Sequence, residues 1–471
     1  MIRRFILRGA SEVLCGRRAL LSTAPALTSH AKGNDEVWEN IYRQEVPRTI
    51  EEMNTLLSSK VVSPPNSHLL KVAIVGVPNS GKSTLINKLM GWRVCSSSRK
   101  VHTTQCNARA VFNAGSTQLV FLDTPGLVTP QEVTKHGLQR TLLTEPEMSL
   151  QDADLLAVVH DTSCQFTQST LHTRLLRLLA LHPTIPSVLV LNKVDLLKSK
   201  VKLLEITQLL TEGVIGGQRF SPQKRQSFKL NKNKMIKESL MQEELTASKT
   251  QTESQPCVEG DVDINSSSES GNIETSTSSS KVEGREGSLL NSMYDISHVK
   301  ESDVFSGKVH LTEQQVKVFV EHRKSWPLFE EVFMLSAKHG SGVDDLRDFL
   351  LACAQPRPWI FSSQVVTDQN PEDIAVMTVR EKFLDYFHQE IPYTLNFSIE
   401  HWELTESDLL NIMVKVKCGR KGLVRLLLGG GGDTVSKISK QAEQDLRNTF
   451  RTEVKLRLNI VYERNLKKKL S

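Results

Sequence analysis

Four short motifs occur in a fixed order along the chain: Gly76-Val-Pro-Asn-Ser-Gly-Lys-Ser83, Asp123-Thr-Pro-Gly126, Asn192-Lys-Val-Asp195 and Ser336-Ala-Lys338. Each follows an apolar run that reads as a buried strand: Lys71–Val75, Val120–Leu122, Ser187–Leu191 and Val332–Leu335. Ligands of open α/β sheets bind beyond the carboxyl ends of such strands. The first motif reads as a phosphate-binding loop. Gly76 and Gly81 let the backbone curl until its N–H groups point at phosphate oxygens. Lys82 places a charge at the β- and γ-phosphates, and Ser83 offers a hydroxyl to Mg²⁺. A helix over 83–90 then turns its positive end toward the phosphates.

The later motifs add the metal and the base. Asp123 is placed to hold Mg²⁺ through water, and the Gly126 N–H to reach the γ-phosphate. Asp195 can accept two hydrogen bonds from guanine N1–H and N2–H₂. Adenine has no such donor pair, so the wrong base would leave a carboxylate unpaired. Asn192 is expected to orient the loop and meet the base edge. The Lys193 stem packs over the ring, and the Ala337 N–H meets guanine O6. A threonine that closes over the γ-phosphate and Mg²⁺ is sought in Ser98–Gln105, where Thr104 is preferred to Thr103.

The nucleotide set is therefore Gly76, Asn79, Ser80, Gly81, Lys82, Ser83, Thr84, Asn192, Lys193, Asp195, Ser336, Ala337 and Lys338. Lys82, Thr104, Asp123 and Gly126 form the hydrolytic group, with Ser83, Thr104 and Asp123 on the metal. The expected ligands are GTP or GDP and Mg²⁺. Leu127 stands where Ras-like proteins carry a water-positioning glutamine, so intrinsic hydrolysis is expected to be slow or assisted. Asn79 has two readings. It is either a ligand for a monovalent cation such as K⁺ near the phosphates or a residue that stabilises the turn.

The chain has 471 residues, 39% hydrophobic and 24% charged, with a net charge of +6. That length allows two or three domains, and the mild basic excess permits a nucleic-acid partner. Seven scattered cysteines without a Cys-x-x-Cys pair argue against a disulfide framework or zinc site. The first 25 residues carry Arg3, Arg4, Arg8, Arg17 and Arg18 against one acid, Glu12, with apolar and basic residues at helical spacing. This is the pattern of a mitochondrial transit peptide; a plain basic tail is the alternative. No apolar run reaches 18 residues, so no membrane span is expected.

Residues 217–300 are first basic, then serine-rich and acidic, and are expected to be a disordered insert. Order is expected to resume near Leu311, with Thr312 capping a helix. The last hundred residues read as α-β-β-α-loop-α-β. A helix over 377–391 is followed by strands over 394–404 and 411–418. Gly429–Gly432 then lies between helices, and a last strand covers 453–463. A glycine loop between two helices is the device with which KH domains clamp an RNA backbone; the alternative is a flexible hinge.

Several stretches resemble the Era family of GTPases, and with the arginine-rich leader its mitochondrial members. They are the first motif, Arg99-Lys-Val-His-Thr-Thr104, Asp123-Thr-Pro-Gly-Leu127, the two base-reading motifs, and Arg380-Glu-Lys-Phe with Ile391-Pro-Tyr-Thr394. The resemblance spans about 68–215 and 312–465. It implies an α/β P-loop GTPase domain of the TRAFAC class, with a doubly wound, mostly parallel sheet, followed by an α+β type II KH domain. The division is a leader (1–45), a linker (46–67), a G domain (68–355), a second linker (356–376) and a KH domain with a basic tail (377–471). Function by resemblance is a GTP-hydrolysing chaperone in the mitochondrial matrix. It would bind the 3′ region of small-subunit (12S) rRNA through Gly429, Gly430, Gly431 and Gly432, and assist small-subunit assembly. A monomer with peripheral association at the inner membrane is expected. Two departures stand out. Gln105 replaces the family's arginine, and the glycine loop lacks the usual lysine; Lys421, Arg425 and Lys467–Lys469 are the candidate replacements. Two other readings remain: a GTPase whose KH-like domain binds protein, and an RNA-binding scaffold with structural GTP.

Overall fold

The computed structural model describes residues 46–95, 108–123, 152–219, 299–387 and 391–463. The leader, Thr103, Thr104, Gln105, Gly126, Leu127, the body of the insert and Lys467–Lys469 lie outside the described residues.

Apolar runs four to six residues long, each ended by a polar motif, assemble the main sheet. Its order is β2 (Ala108–Ala114), β3 (Thr117–Asp123), β1 (His68–Val75), β4 (Leu155–Asp161), β5 (Ser187–Asn192) and β8 (Phe329–Met334). Along this order all neighbours are parallel except the β2–β3 hairpin, and a short seventh strand, β9 (Gln355–Pro356), pairs antiparallel with the start of β1. Strands β1, β3, β4 and β5 are buried on both faces, as parallel strands covered by helices must be, while the edge strand β8 is only partly buried. Alternation along β1 divides the core: Val72 and Ile74 pack on one side, Ala73 and Val75 on the other. The chain leaves β1 for β3 and returns to β4, so the sheet's switch point lies at β1 and its C-terminal loop.

The C-terminal domain follows the expected order. Helix α8 (Pro371–Tyr386) precedes β10 (Asn396–Leu404) and β11 (Leu409–Cys418). Helices α9 (Lys421–Leu428) and α10 (Asp433–Phe450) flank the glycines, and β12 (Glu453–Tyr462) closes the sheet. β10–β11 is antiparallel and β11–β12 parallel, the mixed sheet of a type II KH fold. Strict alternation in β11 turns Leu410, Ile412, Val414, Val416 and Cys418 inward. α8 begins six residues before the expected start. Asn370 caps it and Pro371 occupies its first turn, where a missing N–H is harmless.

Three stretches are more structured than their composition suggests. Within 46–67, helix α1 (Ile50–Ser58) is capped by Thr49, and Arg48 forms an ion pair with Asp408 while its carbonyl accepts the Trp402 indole N–H. The segment after β9 (Gln355–Pro356) is sewn to the sheet edge: Trp359 Nε1 donates to Ser116 O and Asn113 Nδ2 to Ser363 O. Order also resumes before Leu311. Helix α5 (Glu301–Phe305) buries Val304 and sets Phe305 edge-on to Trp326. The next helix, α6 (Glu313–Val320), has the expected Thr312 cap, completed as a capping box by Gln315. At the other end of the insert, Gln218–Arg219 pairs with Val214–Ile215 in a small hairpin.

The two folds meet just after α2 (Lys82–Met90), the helix that follows the phosphate loop. Gly91 ends α2 in the left-handed region, and Trp92 Nε1 then donates to the carbonyls of Asn448 and Thr449. Those acceptors belong to the last turn of α10, where helical carbonyls lack internal partners. The Arg451 guanidinium lies 3.6 Å from the centroid of the Trp92 ring. Arg93 bridges Glu381 at 2.7 Å and Asp445 at 3.2 Å.

Candidate nucleotide site and glycine loop

The phosphate loop is shaped by what its glycines must avoid. A Cβ on Gly76 would stand 2.5 Å from Val159 O. One on Gly81, whose φ is +98°, would stand 2.3 Å from Asn192 Nδ2. Gly81 occupies the N-cap of α2 without a side-chain cap, so the first turn of the helix opens into the loop. Asn79 is exposed at φ +63°, a conformation that asparagine tolerates and most residues do not. Ser80 Oγ is fully buried and finds no hydrogen-bond partner among the described residues. Thr84 is half-buried on the first turn.

Lys82 is buried, and its Nζ donates to the carbonyls of Gly76 and Val77, both at 3.1 Å. Burial lowers its pKa to about 8, partly opposed by the Asp123 carboxylate. Ser83 Oγ donates to Asp123 Oδ2 at 3.0 Å. The loop thus presents a curled backbone, a poised ammonium and a hydroxyl–carboxylate pair. That donor set fits a polyphosphate and a hard, oxygen-seeking divalent cation. Ser83 and Asp123 are the described residues that would hold Mg²⁺, which when bound neutralises phosphate charge.

At the base end, Asn192 is a buried junction of three loops. Its Nδ2 donates to Ser80 O at 2.8 Å, and its Oδ1 accepts from Lys193 N at 2.8 Å and Ala337 N at 3.0 Å. Asn192 thus ties the base-reading loop to its neighbours through Oδ1 and one Nδ2 proton, and the Ala337 N–H donates into the same junction. The reason is proximity: β5 lies two strands from β1, and its end abuts the phosphate loop. Asp195 is the central residue of a 3₁₀ turn, Val194–Leu196. Burial raises its pKa, but the Ser336 side chain, its own N–H, His339 and Lys338 together bring it below the ordinary value. It is therefore ionised, as a receptor for two N–H donors must be. Ser336 and Ala337 are buried, while Lys338 is exposed.

Sequence reasoning passed over Asp161, Thr162 and Ser163 at the end of β4, beside this loop. Lys193 Nζ donates to Asp161 Oδ2 at 2.6 Å, and Asp161 Oδ1 accepts the Ser163 N–H at 2.9 Å and hydroxyl at 2.6 Å. Burial raises the Asp161 pKa, and these hydrogen bonds more than offset it. The signal was present: Leu155–His160 is an apolar strand ending in an acid, as β3 is.

In the C-terminal domain, Gly429 ends α9 at φ +75°, ψ −176°, and Gly432 starts α10 at φ +89°. A Cβ on Gly429 would lie 2.2 Å from Thr434 Oγ1. One on Gly430, Gly431 or Gly432 would meet nothing within 4 Å. The close contact therefore falls on Gly429, whereas the other three face open space at the amino end of an 18-residue helix, with Gly431 and Gly432 held in the left-handed region at φ +65° and +89°. Leu426 and Leu428 are exposed beside the loop.

These features define a P-loop nucleotide-hydrolysing domain, read for guanine, joined to a type II KH fold. A family model described as "50S ribosome-binding GTPase" matches residues 71–193. The mitochondrial GTPase Era of Salmo salar is 36% identical over 446 residues, covering 94% of this chain and 87% of that protein. Its counterpart in Danio rerio is 35% identical, covering 86% and 78%. A solved structure of Era in complex with MgGDPNP and nucleotides 1506–1542 of 16S ribosomal RNA aligns at a TM-score of 0.52 and 19% identity. It covers 86% of this chain and 96% of that one. The chain belongs to the Era family of GTPases, enzymes that hydrolyse GTP with Mg²⁺.

Proposed function

We propose that this GTPase is a nucleotide-switched chaperone of mitochondrial small-subunit (12S) rRNA. It would act as a monomer in the matrix on the 3′ region of that RNA during small-subunit assembly, with peripheral access to the inner membrane. The observation that carries the reading is the junction of the two folds. The phosphate-loop helix runs through Gly91 into Trp92, which caps the far end of the helix that begins at the glycine loop. The names of the relatives and the arginine-rich first 25 residues support mitochondrial import, with 1–45 as leader, 68–355 as G domain around the 217–300 insert, and 377–471 as RNA-binding domain.

In this reading Lys82 leaves its two carbonyls for the phosphates, Ser83 and Asp123 hold the metal with Thr104, and Asp195 reads the base. The Gly126 N–H meets the γ-phosphate. Ligand-dependent order of the Thr104 and Asp123–Leu127 segments changes how the KH domain presents Gly429–Gly432 to a single-stranded backbone. Asn79 would take K⁺, supplying the charge that an arginine finger gives elsewhere; its left-handed φ is explained equally by the turn.

Crosslinking the protein to RNA in intact mitochondria, then sequencing what is attached, tests this. Recovery of the 3′ end of small-subunit rRNA is expected. Recovery of protein partners alone would move the KH domain to a protein-binding role. Hydrolysis at equal ionic strength in potassium and sodium tests the cation. Equal rates would leave Asn79 a turn residue.

A further inference from the structure

Asp161, Thr162 and Ser163 belong to none of the four motifs, yet they hold the base-reading loop from behind. Thr162 is fully buried, and its N–H and hydroxyl donate to Asn192 O at 3.2 and 2.8 Å. Asp161 takes the Lys193 ammonium on one oxygen and both Ser163 donors on the other. The carboxylate therefore cannot swing away from the lysine without breaking two further hydrogen bonds. The side chains of Lys193 and Asp161 are 25% and 18% exposed, so the pair is screened from bulk water while bordering the pocket. Lys193 itself sits at φ +62°, which directs its side chain back toward β4.

A free lysine side chain samples many rotamers, and fixing it against a ligand costs conformational entropy. A lysine tethered at its far end has already lost that freedom. The geometry points to Asp161, locked by Ser163, as a positioning residue for guanine-nucleotide binding. It holds the Lys193 methylene stem as a preformed wall for the base. The inference rests on the reading that the Lys193 stem packs over the base. It assigns Asp161 to affinity and residence time, and leaves discrimination between bases to Asp195.

The test is a double-mutant cycle on the full chain, read by release of a ribose-labelled fluorescent GDP. Lys193→Met keeps most of the stem and loses the ammonium; Lys193→Ala loses both. Asp161→Asn is expected to speed release about tenfold, the size of a lost hydrogen bond between charged groups. Ser163→Ala should speed it about threefold. Both effects should vanish in the Lys193→Met background. The ratio of GDP to IDP affinity, which reports the guanine amino group, should not move in Asp161→Asn. If Asp161→Asn and Lys193→Met multiply, Asp161 acts independently of the lysine and the inference is overturned. If Lys193→Ala leaves release unchanged, the reading of Lys193 fails first. If it speeds release but Asp161→Asn and Ser163→Ala do not, only the inference fails. Should Asp161→Asn not fold, the Ser163→Ala arm of the cycle decides alone.

Discussion

The phosphate loop and the KH glycine loop both use glycines to lead a chain into the positive end of a helix, but they are held in opposite ways. In the phosphate loop the glycines and the lysine are committed: Gly76 lies under Val159 O, Gly81 under Asn192, and Lys82 is tied to two carbonyls. In the KH loop only Gly429 meets a neighbour, Thr434, and the next three glycines are open. The first loop is thus preorganised by buried contacts from three strands. The second has a side-chain contact only at its entrance, and beyond it only the left-handed backbone of Gly431 and Gly432. A substitution in the first should therefore move binding and stability together, in the same or in opposite directions, whereas in the second the two can be changed one at a time.

The largest effect that could break this contrast is at Lys82. Lys82→Met is expected to abolish nucleotide binding while raising the melting temperature of the nucleotide-free protein. A pKa of about 8 against 10.5 unfolded means that burying the charged lysine costs about 3 kcal/mol at neutral pH. The sign follows from the depressed folded pKa. The cost is full below pH 8, where both states are protonated, and vanishes above 10.5, where neither is. The Met advantage should therefore shrink between pH 8 and 10.5, and nucleotide affinity of the parent should fall as pH rises through about 8. Calorimetric melting and GDP titration across that range check both. A Met variant that melts lower would show that the two carbonyl hydrogen bonds outweigh desolvation.

Asn192→Ala comes next. It strands Ser80 O and the Ala337 N–H in a buried site, so a loss of about 2–4 kcal/mol is expected, with GDP affinity falling in step. Denaturant unfolding with and without GDP measures both; stability unchanged within 0.5 kcal/mol, on the order of a surface substitution, would contradict the junction role.

Within the KH loop, Gly429→Ala should destabilise the protein by about 2–3 kcal/mol, from the contact with Thr434 and a backbone region open essentially to glycine. Gly430→Ala should stay within about 0.5 kcal/mol of the parent. Gly430→Asp should weaken binding of a single-stranded oligonucleotide from the 3′ end of small-subunit rRNA with GTP affinity unchanged. Fluorescence anisotropy beside a melting curve separates these outcomes. Equal destabilisation by Gly429→Ala and Gly430→Ala would erase the contrast between entrance and tip.

The smallest effect concerns His160, buried in β4 beside the Asp161 lock. Burial lowers its pKa, only partly opposed by a hydrogen bond to Gln168 O and by Asp161. The unfolded state then takes up a proton near pH 6.5 that the folded state resists. Stability should fall as pH drops below 6.5, and His160→Gln should flatten that slope. Melting temperatures between pH 5 and 7.5 report it. Parallel slopes in parent and variant would assign the pH dependence to other groups.

Much of the nucleotide pocket was legible because its signals are local. Gly81, Lys82 and Ser83 are adjacent in sequence, and so are Asn192, Lys193 and Asp195. The N-cap at Thr312 was legible for the same reason. Helix α5 was not, because five residues carry too little periodicity and Val304 is buried only through tertiary packing. Helix α1 was passed over within a presumed linker, since its anchor, Arg48 on Asp408, lies 360 residues away. Asp161 was passed over because its partner is a lysine already explained by another role.

By itself the sequence determined the chemistry: which backbone can curl around phosphate, which hydroxyl and carboxylate suit a metal, which acid can discriminate guanine, and which glycines can sit between two helices. Those properties belong to side chains and φ/ψ preferences within a few residues. The tertiary structure alone decided who holds whom. It spent Asn192 on Ser80 across 112 residues, joined Lys193 to Asp161, and set Trp92 on the end of α10 across more than 350. Such pairs are fixed by strand order and helix packing. A buried donor takes whatever acceptor the assembled fold places within reach, and sequence spacing does not encode that distance.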